Sequence, residues 1–96
     1  MVMAIRGFAD KTTRRLFEGG APRGFPQNAK VRALDKLSQL NAAERIEDMA
    51  VPPGNQMKAL GGDRRGQYAV RVNQQLRLCF AWEDGDAYDV EIVDYH

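Results

Sequence analysis

The second half of the chain alternates. Tyr68, Val70 and Val72 take turns with Gln67, Ala69 and Arg71. Leu76, Leu78, Phe80 and Trp82 take turns with Arg77, Cys79 and Ala81, and Tyr88, Val90 and Ile92 with Asp89, Glu91 and Val93. A period of two marks strands with one buried face. Only Asn73-Gln74-Gln75 and the segment from Glu83 to Asp86, with Gly85 at its centre, separate these runs. Connections this short make hairpins. Three strands joined in this way form an antiparallel meander, and its apolar face needs a covering layer.

The first half supplies the cover. Ile5 to Phe8 reads as a short opening strand. Asp10 is placed to cap a helix from Lys11 to Glu18 that presents Leu16 and Phe17, and Gly19-Gly20 ends it. The Gly- and Pro-rich segment from Ala21 to Pro26 is a loop. Asn28 would cap a second helix, in which Val31, Leu34, Leu37 and Leu40 recur at intervals of three and form an apolar stripe. Glu44 to Met49 either extends that helix or forms a short third one, and Pro52-Pro53-Gly54-Asn55 stops it. Met57 to Leu60 is a short strand, followed by a turn over Gly61 to Gly66. The expected fold is therefore α+β, with N-terminal helices packed on an antiparallel sheet. Residues 1–96 fit a single domain.

Composition narrows the function. No apolar run approaches the roughly 20 residues that span a bilayer, and the N-terminus lacks the apolar segment of a secretory signal. A cytoplasmic protein without membrane contact is expected. The one cysteine, Cys79, and the one histidine, His96, leave no ligand set for a structural metal, and no cofactor is expected. The net charge of +1 hides an asymmetry. All 14 Lys and Arg lie in residues 1–82 with seven acids, whereas residues 83–96 hold six acids and no Lys or Arg. This permits a polyanionic partner, or neutralisation across the sheet.

If Val70, Val72, Leu78, Phe80, Val90 and Ile92 face the helices, the opposite face collects Arg71, Arg77, Asp89, Glu91 and, in phase, Tyr95. Arg77, on the central strand, neighbours both flanking strands. Cleaving RNA with its own 2′-hydroxyl requires a base, an acid for the departing 5′-oxygen and positive donors for the transition-state charge. Arginine suits the last task. Asp94, Tyr95 and His96 are candidates for the first two, and no metal is needed. The plainer reading makes Arg71 and Arg77 cross-strand ion pairs with Asp89 and Glu91, Asp63-Arg64-Arg65-Gly66 a solvated turn, Trp82 and Tyr68 core, and Cys79 inert.

Several strings resemble the HigB-like toxins of the RelE superfamily, the toxin halves of type II toxin–antitoxin pairs, also known as plasmid maintenance killer proteins. They include Ile5-Arg6-Gly7-Phe8, Leu16-Phe17-Glu18-Gly19, Pro52-Pro53-Gly54-Asn55, the glycine-flanked turn Gly62 to Tyr68 and Val70-Arg71-Val72-Asn73. Leu76 to Phe80, Gly85 to Tyr88 and the closing run Val90 to His96 complete them. The resemblance implies a microbial-ribonuclease-like fold and an mRNA endonuclease that acts on codons in the ribosomal A site and stops translation. It implies a cognate helix-turn-helix antitoxin, with operator DNA reached only through that antitoxin. By this likeness His96 and Asp94 transfer protons, Tyr95 positions the base or phosphate, and Arg77 stabilises charge. Lys58, where some members carry a His, would hold a phosphate, as would Arg64, Arg65 and Arg71. A toxin or co-repressor of the same fold that only binds protein, without cleaving RNA, stays open as the alternative.

Overall fold

The computed structural model describes residues 3–94. Helix α1 spans Lys11–Phe17, and its first turn is closed by Asp10, whose carboxylate accepts from the Thr13 amide at 3.3 Å. The helix stops because Gly19 takes φ +93°, a conformation that costs glycine little. A single 3-10 turn, Gln27–Ala29, leads into α2, Lys30–Ala42. The residue before α2 is Ala29, which makes no side-chain cap, so Asn28 does not serve as one. The chain enters α2 through the 3-10 turn, whose own amides use backbone carbonyls.

Helix α2 buries Ala33, Leu37 and Leu40, with Leu34 half-buried at the edge. Val31, expected on the same stripe, is 71% exposed. Intervals of three fall short of the helical repeat, so nine residues carry Val31 about 180° around the axis from Leu40. The segment expected as a further helix is a 3-10 turn over Ile46–Ala50. Another over Pro53–Asn55 precedes the sheet.

The sheet has four antiparallel strands in sequence order: β1 Lys58–Ala59, β2 Gln67–Arg71, β3 Leu76–Glu83 and β4 Asp86–Asp94. Between β3 and β4 the loop is Asp84-Gly85, both at positive φ (52° and 83°), which matches the right-handed twist of a tight hairpin. The opening segment lies along the far edge of β4 and runs parallel to it. Ile5 bridges Ala87 and Phe8 bridges Val90. Where that segment leaves the edge, the Thr13 hydroxyl takes over and accepts from the Ile92 amide at 3.0 Å.

The inner face carries Val70, Leu78, Phe80 and Val90 against Leu16, Ala33, Leu37, Leu40 and Met49. Each large side chain buried in this way contributes about 1.5–3 kcal/mol. Tyr68 and Trp82 are half-buried and flank Phe80, with ring centroids 6.1 Å and 6.4 Å away. No helix among the described residues is long and apolar enough to cross a membrane.

The alternation in β4 is broken. Cys79 pairs with Glu91 but Ala81 pairs with Tyr88, so three residues of β4 span two of β3. The extra residue is Asp89, at φ +52°. Such a bulge reverses the facing of everything before it. Tyr88 therefore belongs to the outer face instead of the core, and Asp89 is not part of the outer array expected from alternation.

Candidate functional site

The outer face of the sheet is built in rows set by the strand register. Arg71, Arg77 and Val93 form one row. Lys58, Ala69, Cys79 and Glu91 form the next, and Gln67, Ala81 and Tyr88 the third. Arg71 and Arg77 stand directly opposite one another, an unfavourable placement for like charges. Both guanidinium groups instead donate to one oxygen, the Asn73 carbonyl in the β2–β3 turn. Arg71 Nε lies 3.2 Å from it and Arg77 Nη1 2.8 Å. Arg77 Nη1 also reaches the Leu76 carbonyl at 3.1 Å. The turn itself is held by Asn73, whose side-chain oxygen accepts from the Gln75 and Leu76 amides at 2.8 and 2.7 Å. Two cations are thus fixed side by side by backbone acceptors.

Arg64 reaches the same face from the turn before β2. Its Nη2 lies 2.8 Å from Glu91 Oε1 and its Nη1 2.9 Å from Gln67 Oε1, so it bridges two rows. Its hydrogen bond to the Glu91 carboxylate raises its pKa above the usual arginine value. The partner of Glu91 is thus Arg64, which sequence spacing did not pair with it. Arg65, next along, is exposed on the turn, and Lys58 is exposed in β1.

Cys79 lies beneath this layer with 1% of its surface exposed, although it sits on the face without helices. Burial pushes its thiol pKa up, and the nearby positive charges of Arg64, Arg77 and Lys58 only partly oppose this. A thiol so held stays protonated at neutral pH and is a poor nucleophile. Alkylation of the native protein by iodoacetamide at pH 7.5 should be at least tenfold slower than that of the urea-unfolded chain, as read by intact mass. Equal rates would show that the Arg64 cover does not close.

Asp94 ends β4 in register with Leu76, and its carboxylate accepts from Gln75 Nε2 at 2.9 Å. It follows Val93 of the Arg71–Arg77 row in sequence but falls in the row of Leu76, on the core side of the sheet. Tyr95 and His96 lie outside the described residues. The structure therefore gathers Arg71, Arg77, Lys58 and Arg64 on one face, while Asp94 falls in the Leu76 row of the other and Arg65 stays on the turn. Around the end of the sheet, Arg71 also lines a cleft with Arg32, Asp35 and Lys36 of α2. Sequence spacing does not single out those α2 residues for a site.

The same architecture occurs in the YoeB–YefM complex from Staphylococcus aureus, with TM-score 0.56 and 17% identity over 96% of this chain and 97% of that one. It recurs in a YoeB/ParE toxin from Agrobacterium tumefaciens, with TM-score 0.57 and 15% identity over 98% and 100%. The fold is thus the α+β fold of RelE-like toxins. Residues 6–96 match the model of the RelE-like toxin HigB of type II toxin–antitoxin systems, and the chain belongs to that family. Among relatives, Toxin HigB-1 of Vibrio cholerae is 37% identical over 83% of this chain and 85% of its own length. Endoribonuclease HigB of Proteus vulgaris is 32% identical over 96% and 99%. Membership in a toxin–antitoxin family makes an antitoxin the partner of this chain.

Proposed function

We propose that this protein is an endoribonuclease that cuts mRNA in the ribosomal A site, without a metal, and so halts translation in the cytoplasm. A cognate helix-turn-helix antitoxin would neutralise it and carry the pair to operator DNA. The observation that supports this reading best is the Arg71–Arg77 pair, locked onto one carbonyl of the β2–β3 turn at the end of the sheet. Two forked cations at one point suit a phosphodiester that gains charge as it reacts.

In the reaction, a base takes the 2′-hydroxyl proton and the 2′-oxygen attacks phosphorus. The P–O5′ bond breaks, and an acid protonates the leaving oxygen. A 2′,3′-cyclic phosphate and a 5′-hydroxyl result. His96 and Asp94 are assigned to the proton transfers, Tyr95 to positioning, and Arg77 with Arg71 to the charge. Lys58, Arg64 and Arg65 hold flanking phosphates. The relative named an endoribonuclease supports the activity.

Inducing the chain without antitoxin should arrest growth and leave cuts in frame within translated mRNA. Those cuts should vanish in His96→Ala. Arrest without cuts, unchanged in that variant, would leave a toxin that acts by binding protein.

A further inference from the structure

The bulge at Asp89 decides where Tyr88 points. Without it, alternation would carry Tyr88 to the face of Val90, inside the core. With it, Tyr88 pairs with Ala81 on the outer face and is 39% exposed. Bulges that re-aim a side chain are frequent beside active sites. Next to the ring Ala81 is small and half-buried, and Cys79 and Ala69 are covered, each with 1% of its surface exposed. Over these covered positions lies the Arg64 guanidinium, tied to Gln67 of Tyr88's own row and to Glu91 of the next. An exposed ring beside small side chains and a held, part-exposed cation form a place for one nucleotide: base on ring, phosphate on guanidinium.

We propose that Tyr88 is a stacking platform for a base of single-stranded RNA that flanks the cleaved nucleotide, with Arg64 taking the adjoining phosphate. This rests on the nuclease reading for the nature of the polymer and adds a position along it. Ala81 lies four residues from Arg77 on β3, roughly 13 Å at strand rise. A phosphate reacting at Arg77 is therefore out of reach of Tyr88, and the stacked base must be a neighbour. Every base has a face to stack, so Tyr88 sets affinity and register but not base identity.

The test uses the full-length protein, a fluorescent single-stranded RNA pentamer and fixed low salt, because phosphate contacts weaken as salt rises. Tyr88→Leu should weaken binding by about five- to 150-fold, the usual span for one stacked base, while Tyr88→Phe stays within about twofold. Placing an abasic nucleotide at one position should weaken wild type to the level of Tyr88→Leu and leave Tyr88→Leu unchanged. Leucine binding as tightly as tyrosine, additive losses at every abasic position, or no binding by wild type would each overturn the platform. Cleavage of ribosome-bound mRNA by the same proteins separates the two ideas. Tyr88-dependent binding without cleavage keeps the platform and removes the nuclease; normal cleavage with an indifferent Tyr88 does the reverse.

Discussion

Arg77→Ala should lower the rate of mRNA cleavage on programmed ribosomes by about 10²–10³-fold, with a much smaller change in KM. This is the usual cost of removing one preorganised donor aimed at developing charge. Arg77 qualifies as preorganised because β3 is central and because two backbone carbonyls already fix its guanidinium. Arg77→Lys keeps the charge but loses the planar fork, so most of the loss should remain. Arg71→Ala should cost less, since Arg71 lies on β2 beyond the end of its pairing with β1, and it also faces the α2 cleft. His96→Ala removes a proton-transfer group and should cost about 10²–10⁴-fold. The measurement is single-turnover cleavage by variants whose urea unfolding midpoints match wild type. An Arg77→Ala protein that cuts within threefold of wild type would remove the charge-stabilising role.

The parts of this fold that were legible in the sequence are those governed by short-range periodicity. The meander, its hairpins and the covering helices follow from spacings of two and of three to four, and α1 with its Asp10 cap was visible in the residues themselves. What escaped were features where one residue breaks the period or where distant segments meet. The Asp89 bulge turns a clean alternation into two half-strands of opposite facing, and no local signal marks it. Val31 sits at a plausible interval from Leu34 but on the wrong side of the axis. In the candidate site, Arg77 could be placed from its central strand alone. Its sharing of the Asn73 carbonyl with Arg71, and the reach of Arg64 to Glu91, depend on turn geometry and on the fold, which spacing does not encode. The family likeness supplied the residues expected to carry the chemistry; the register supplied which of them stand together.

The largest stability loss from a single polar side chain is expected at Asn55. It is fully buried, and its amide donates to the Met49 carbonyl at 2.9 Å, to Gln39 Oε1 at 3.2 Å and to the Val51 carbonyl at 3.3 Å, while Lys36 Nζ donates to its oxygen. One side chain therefore ties α2 to the segment that feeds β1. Asn55→Ala leaves the buried Met49 carbonyl and the part-buried Lys36 ammonium without that partner, and opens a small cavity. An unmet buried group costs about 1–3 kcal/mol, more when charged, so the net loss should be about 2–4 kcal/mol. For a domain of this size each kcal/mol lowers Tm by about 4–8 °C, which puts the variant at least about 8 °C below wild type. Val31→Ala, at an exposed position on the same helix, should stay within about 0.5 kcal/mol and serves as the control. In a cycle with Lys36→Ala, the double variant should be less destabilised than the two single losses added together, because the charge left unpaired in Asn55→Ala is then gone. Strict additivity would mean that the Lys36–Asn55 contact carries no stability. Because Lys58 follows Asn55 by three residues, loosening this anchor should also weaken RNA binding at the Lys58 edge of the face before it touches the rate set by Arg77.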